Sequence, residues 1–369
     1  MGKKLLSFLF LIVFFQGFSQ DLQVSENAKV SIITIGTASP SYALYGHTGI
    51  RFKDITTNLD VVFNYGAFDF ETPNFMLRFV KGDLQYFVTS NPFADFEYSY
   101  RHENRSIYEQ ELDLPIDKIR LLYNNINNSL TSDERFYTYK FIDKNCTTMV
   151  IDKVNEVIDS KAIDFQKPQE QTYRSVLFPY ANEQFLQQLG INIIFGTKVD
   201  EKATKLFLPL DLMEQLKTVK YNGKPLVTRT STIFEAQKET PPFNFFDSIY
   251  LLIVLLGIIV LLNNRKLTFV YFSILGLLGL FFSLIGLYSF HEEVLWNYNV
   301  LLFNPFYLVL LYFFYRNNVQ KIKRVKWFIL LLLVIYVILV INKVYLISVL
   351  PIILTNFILL LRTKTNQSK

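Results

Sequence analysis

Residues 248–290 read SIYLLIVLLGIIVLLNNRKLTFVYFSILGLLGLFFSLIGLYSF, and their only charges are the adjacent Arg265 and Lys266. The pair divides two apolar runs, 248–264 and 267–290. Each is close to the roughly 20 residues a helix needs to cross the hydrocarbon of a bilayer. Three further apolar runs come later, at 294–315, 327–342 and 344–361. Five membrane spans are therefore expected. The fourth run is short, and Lys343 alone separates it from the fifth, which demands a tight hairpin. Four spans with a re-entrant segment is the other possible count.

Working outward, the loop charges test this topology. The chain starts with Lys3 and Lys4, an apolar stretch over 5–15, and small residues at Gly17 and Ser19. These are the parts of a signal peptide cleaved before Gln20. Export of the domain that begins at Gln20 makes the first span run inward. Arg265, Lys266, Arg316, Lys321, Lys323, Arg324, Lys326, Arg362, Lys364 and Lys369 then fall inside, and only Lys343 falls outside. That is a positive-inside distribution. The expected organisation is a signal peptide at 1–19, a periplasmic domain at 20–245 and an inner-membrane helical domain at 246–369. The net charge of +5 is small for 369 residues and carries no nucleic-acid signal.

The N-terminal half alternates like strands in VSIITIG, HTGIRFKD, VVFNYGAFDF and LQYFVTSNP. LPIDKIRLLYNNINNSL and CTTMVIDKVNEVID have helical spacing. The class is α+β. The chain has one cysteine, Cys146, so no internal disulfide is available to an exported domain. A lone thiol there is either a buried small hydrophobe or kept for chemistry. Cys146 opens a helix after Asn145, where the helix dipole and open backbone N–H groups favour the thiolate. A nucleophile also needs a base. His47, between Gly46 and Gly49 at the head of a strand, is the candidate; His102 reads as surface or structural. Beyond the second span, SFHEEVLWNYNVLLFNP brings His291, Trp296, Asn297, Asn299 and Asn304 to the start of the third. This is either an interfacial belt or a site whose amides face the bundle. No metal-ligand cluster or cofactor fingerprint is present, and no cofactor is expected.

YGHTGIRF, FNYGAFDF, YKFIDKNCTTMV and HEEVLWNYNVLLFNP together resemble the Lnb-type lipoprotein N-acyltransferase family of Bacteroidetes. The soluble domain of that family is similar to circularly permuted, NlpC-type papain-like proteins, in which the His precedes the Cys. The resemblance implies a permuted papain-like domain on a membrane bundle. It also implies transfer of an acyl chain from a phospholipid donor to the α-amine of a diacylated lipoprotein acceptor. Carried over, Cys146 is the nucleophile and His47 the general base. The group that orients the imidazole is left open between Asn64 and Asp69, because a one-residue change of register exchanges strand faces. Tyr45 and Tyr139 are oxyanion-donor candidates, and His291, Trp296 and Asn299 are substrate-site candidates. Two other readings stand beside this one: an envelope cysteine peptidase or amidase acting on cell-wall peptides, and a non-catalytic membrane scaffold with a buried thiol.

Overall fold

In the computed structural model, which describes residues 24–158, 161–165, 170–237 and 242–363, strand β1 (Lys29–Ile35) buries every side chain but its first. A strand buried on both faces needs cover on both. β1 lies between β2 (His47–Asp54) and β5 (Ile107–Leu112). The sheet continues on one side through β3 (Leu59–Ala67), β4 (Gln85–Pro92) and the three-residue β6 (Phe136–Thr138), and on the other through β7 (Val227–Phe234). Every pairing is antiparallel. The proposed signal peptide lies outside the described residues.

The period-two alternation sorts the side chains onto two faces. Ile32, Ile50, Phe52, Phe63 and Tyr65 pack against helices α3 (Ile116–Thr131) and α4 (Cys146–Val157), through Leu122, Ile126, Val150 and Val154. Ile33, Ile35 and Val62 face the other way, onto Phe93 and Phe96 of α2 (Phe93–His102). Between β3 and β4 the short helix α1 (Phe75–Lys81) buries none of its residues. The register of β3 slips between Asn64 and Ala67, where Gly66 takes φ +102°. Only glycine enters that region cheaply.

Residues 170–216 add α5 (Tyr173–Leu177), α6 (Phe185–Ile194) and α7 (Pro209–Leu216). The helical region comes next, with α8 (Ile249–Leu262), α9 (Arg265–Tyr288), α10 (Phe306–Tyr315), α11 (Val319–Val340) and α12 (Leu346–Arg362). Its core is Phe272, Tyr307, Leu310, Ile329, Leu333, Val349 and Ile352. Large apolar side chains such as Leu261, Leu277, Leu284, Ile338 and Leu354 stay exposed on its outside. Among the described residues, taken singly, only α9 is long and apolar enough to cross a membrane.

Two runs depart from the sequence expectation. The run 294–315 is not one helix. Two 3-10 turns, Glu292–Val294 and Tyr298–Leu301, precede α10, and the segment Glu292–Leu301 is bent by 40° from α10. The cause is local: the Asn297 side chain accepts from the Asn299 N–H, and Pro305 heads the new helix. The run 327–342 begins earlier, at Val319, because Asn318 caps it by accepting from the Lys321 N–H. Lys321, Lys323 and Arg324 then stand exposed in its first turns.

Candidate active site

Asn145 sets the position of the thiol. Its side-chain oxygen accepts from the N–H groups of Thr147 and Thr148, while the Thr148 hydroxyl accepts from the Asn145 N–H. This reciprocal box starts α4 at Cys146. The Asn145 amide also donates to the carbonyls of Phe141 and Phe207, which locks the entry to the helix. Thr147 meets Thr48 of β2 at 3.1 Å between hydroxyls, fastening the helix start to the strand that carries His47.

His47 is the first residue of β2, and His47 and Asn64 point to the α2 face of the sheet. The imidazole Nε2 lies 3.2 Å from Asn64 Oδ1. With Nε2–H donating to that oxygen, Nδ1 is the ring nitrogen left to take a proton. The ring stacks on Tyr100 of α2 at 6.3 Å. Asn64 is buried and donates in turn to Asn91 Oδ1 at 3.4 Å. Gly66, in the bulge, lies against Cys146: a Cβ there would stand 3.9 Å from Cys146 Cβ, in van der Waals contact. His47, Asn64, Gly66, Phe68, Asn91 and Tyr100 line a cleft of about 390 Å³ between the sheet and α2.

Burial acts to raise the Cys146 thiol. The neighbouring His47 charge, a hydrogen bond with His47, the Thr48 N–H and the Thr147 hydroxyl outweigh it, and the net shift is downward. That is the electrostatic pattern of an activated thiol. Burial pushes the Tyr100 hydroxyl up to about 12, so it stays protonated at neutral pH beside the imidazole.

Of the other sequence candidates, Tyr139 stacks on Tyr86 at 4.6 Å; burial, and after it the proximity of Cys146, raises its hydroxyl. Asp69 lies past the end of β3, exposed, with its carboxylate accepting from the Glu71 N–H, and is not brought to the imidazole. Tyr45 packs on Phe141 and Tyr180 in a separate cluster. His291 Nε2 bonds the Phe79 carbonyl at 2.8 Å, and Trp296 is exposed at φ +51°. Asn299 is fully buried. It accepts from Tyr336 and Tyr345 and donates to the Asn192 and Ile193 carbonyls, so it joins the bundle to α6 rather than opening onto the cleft.

Sequence reasoning did not find Arg174. It is 2% exposed, bonds Asp200 through Nε and Nη2, and donates to the carbonyls of Asn192, Phe195 and Gly196. Tyr298 and Lys343 reach the same carboxylate from the helical region. Burial acts to raise Asp200, but Arg174, Tyr298 and Lys343 hold it below the usual range. The available signal was an arginine set among Tyr173, Val176 and Leu177 in YRSVLF.

Among the described residues, no group of three or more His, Cys, Asp or Glu is placed to hold a metal ion. The family model described as the Lnb N-terminal periplasmic domain matches residues 18–178, and that of the Lnb transmembrane domain matches residues 234–368. The chain belongs to the Lnb family. It is therefore a membrane protein whose N-terminal domain is periplasmic. No curated protein and no solved structure matches it. The periplasmic Lnb match contains His47, Asn64 and Cys146. The segment 179–233, which supplies Asn192 and Asp200, lies between the two Lnb matches.

Proposed function

We propose that this Lnb-family chain is a lipoprotein N-acyltransferase of the inner membrane, with Cys146 as nucleophile and His47 as base. The observation that carries this reading is the Cys146–His47–Asn64 arrangement in a periplasmic domain joined to a membrane domain. His47 takes the thiol proton and the thiolate attacks an ester carbonyl of a phospholipid. The tetrahedral intermediate collapses, the lysophospholipid leaves with the proton returned by His47, and a Cys146 thioester remains. The α-amine of a diacylglyceryl-cysteine lipoprotein then attacks the thioester. His47 accepts the amine proton and returns it to the departing thiolate, leaving an amide. Asn64 holds the imidazole in the tautomer with Nδ1 basic. The Asn145 cap engages the N–H groups of Thr147 and Thr148, so the Cys146 N–H is the first-turn donor offered to the oxyanion. The soluble domain is read as permuted papain-like, and the bundle as five spans, with the bent segment before α10 completing the third.

Incubation of the full chain with phospholipid, followed by mass spectrometry of the Cys146 peptide, tests the reading. The expected result is an acyl adduct on Cys146 and, after a diacylated lipopeptide is added, its transfer to the lipopeptide amine. Cys146→Ser should abolish both. Full N-acylation by that variant would overturn the assignment. Cleavage of cell-wall peptides without acyl transfer would favour a hydrolase.

A further inference from the structure

The segment 68–81 of the periplasmic domain carries an exposed apolar stretch. Phe70, Met76 and Leu77 are 74%, 66% and 60% exposed, and α1 buries nothing. Its aromatic rings form a row that starts at the cleft. Phe68, which lines the cleft, contacts Phe70 at 4.9 Å and Phe75 at 5.8 Å, and Phe75 stacks on Phe79 at 6.4 Å. Phe79 meets His291 at 6.2 Å.

The far end of the row is tied to the membrane domain by four hydrogen bonds. The Tyr288 hydroxyl donates to the Leu77 carbonyl and the Ser289 hydroxyl to that of Val80. The Phe290 N–H donates to the Lys81 carbonyl, and His291 Nε2 bonds that of Phe79. All four partners stand at or just beyond the C-terminal end of α9, the helix long and apolar enough to span. Its opposite end carries Arg265 and Lys266, which places Tyr288 at the outer surface. An exposed apolar helix fixed at that level, with Arg78 and Lys81 turned onto Asp83, has the make-up of an interfacial helix.

We propose that residues 68–81 form a lipid-seated ramp. In this arrangement α1 lies in the outer-leaflet interface and the row from Phe79 to Phe68 guides one acyl chain of a bilayer phospholipid to the cleft beside Cys146. The guiding role rests on the acyl-transfer reading; the seating in lipid does not.

The test uses the full chain in nanodiscs. Cys146 is the only cysteine, so Cys146→Ser combined with Met76→Cys leaves one thiol for a bimane label. Emission at position 76 should fall about twofold or more when the phosphatidylcholine is replaced by its dibrominated form. A label introduced by Thr230→Cys, on exposed β7, should not respond. Equal, unquenched emission at both positions would overturn the seating. In the chain that retains Cys146, Met76→Asp with Leu77→Asp should lower Cys146 acylation from bilayer phospholipid about tenfold. Alkylation of Cys146 by iodoacetamide should be unchanged. Undiminished acylation would overturn the guiding role. If the unaltered chain forms no acyl-enzyme, the acyl-transfer reading and the guiding role fail together, while bimane quenching still decides where α1 lies.

Discussion

Asn64→Ala isolates the contact that orients the His47 imidazole, the base of the proposed acyl transfer. It deletes one acceptor, Oδ1, at 3.2 Å from His47 Nε2, and a longer contact to Asn91. A neutral hydrogen bond of this kind contributes about 1 kcal/mol, which corresponds to roughly a fivefold change in the population of correctly oriented imidazole. The ceiling is the whole contribution of a general base, about 10²–10⁴-fold. Stacking on Tyr100 keeps the ring in place, and the open cleft lets water substitute for the lost oxygen. The loss should therefore sit near the lower end, at about 5–50-fold in the rate of Cys146 acylation. Single-turnover acyl-enzyme formation, followed by intact-mass spectrometry, measures it. The thermal midpoint should change little, since only about 1–2 kcal/mol of hydrogen bonding is at stake. Asn64→Asp restores an acceptor at the same point and should recover most of the rate. Asp69→Ala, an exposed turn residue, should leave the rate alone. An unchanged acylation rate in Asn64→Ala, or a large loss in Asp69→Ala, would refute this account of how His47 is held.

The alkylation rate of Cys146 by iodoacetamide should have its inflection below the ordinary thiol range near about 8.5, because His47, Thr48 and Thr147 together outweigh burial. In His47→Gln burial loses its main opponent, so the inflection should move to higher pH, and stopped-flow alkylation across pH reads the direction. Arg174→Met leaves Asp200 buried with Tyr298 and Lys343 and several carbonyls without their donor. It should destabilise the chain in detergent by about 3–5 kcal/mol, seen as a lowered unfolding midpoint.

The strands β1 to β4 were legible from β-branched and aromatic runs bounded by turn residues, and the helix α4 from apolar residues recurring at helical spacing. β5 was not, since Glu109 and Glu111 interrupt the apolar pattern of IYEQEL while Ile107 and Leu112 carry the burial. His47 and Cys146 were legible from residue type and local setting. Asn64 was not separable from Asp69 because that choice depends on the pairing of Gly49 with Asn64 and on the bulge after it, both long-range facts. Asn299 was picked out by the cost of an amide at membrane depth. Its partners, two tyrosines from α11 and the start of α12 and two carbonyls of α6, come from far along the chain, so its joining role was invisible locally. Arg174 lay in the less readable region from about 160 to 245, and its meaning appeared only when Asp200 closed on it.

The loop after α9 reaches into the soluble domain. Glu293 is 2% exposed; its carboxylate accepts from the Ile142 N–H and its carbonyl from the Gly196 N–H, while Lys140 donates to the Phe290 carbonyl. Ile142 and Lys140 belong to the turn that delivers Cys146. The boundary drawn by hydropathy is thus not a boundary of cooperative unfolding. A fragment ending before α8 would strip the turn ahead of Cys146 of its acceptors, and would be a poor stand-in for the full chain. Conversely, any strain that moves the outer end of α9, such as a thinner bilayer, has a short covalent and hydrogen-bonded route to the thiol.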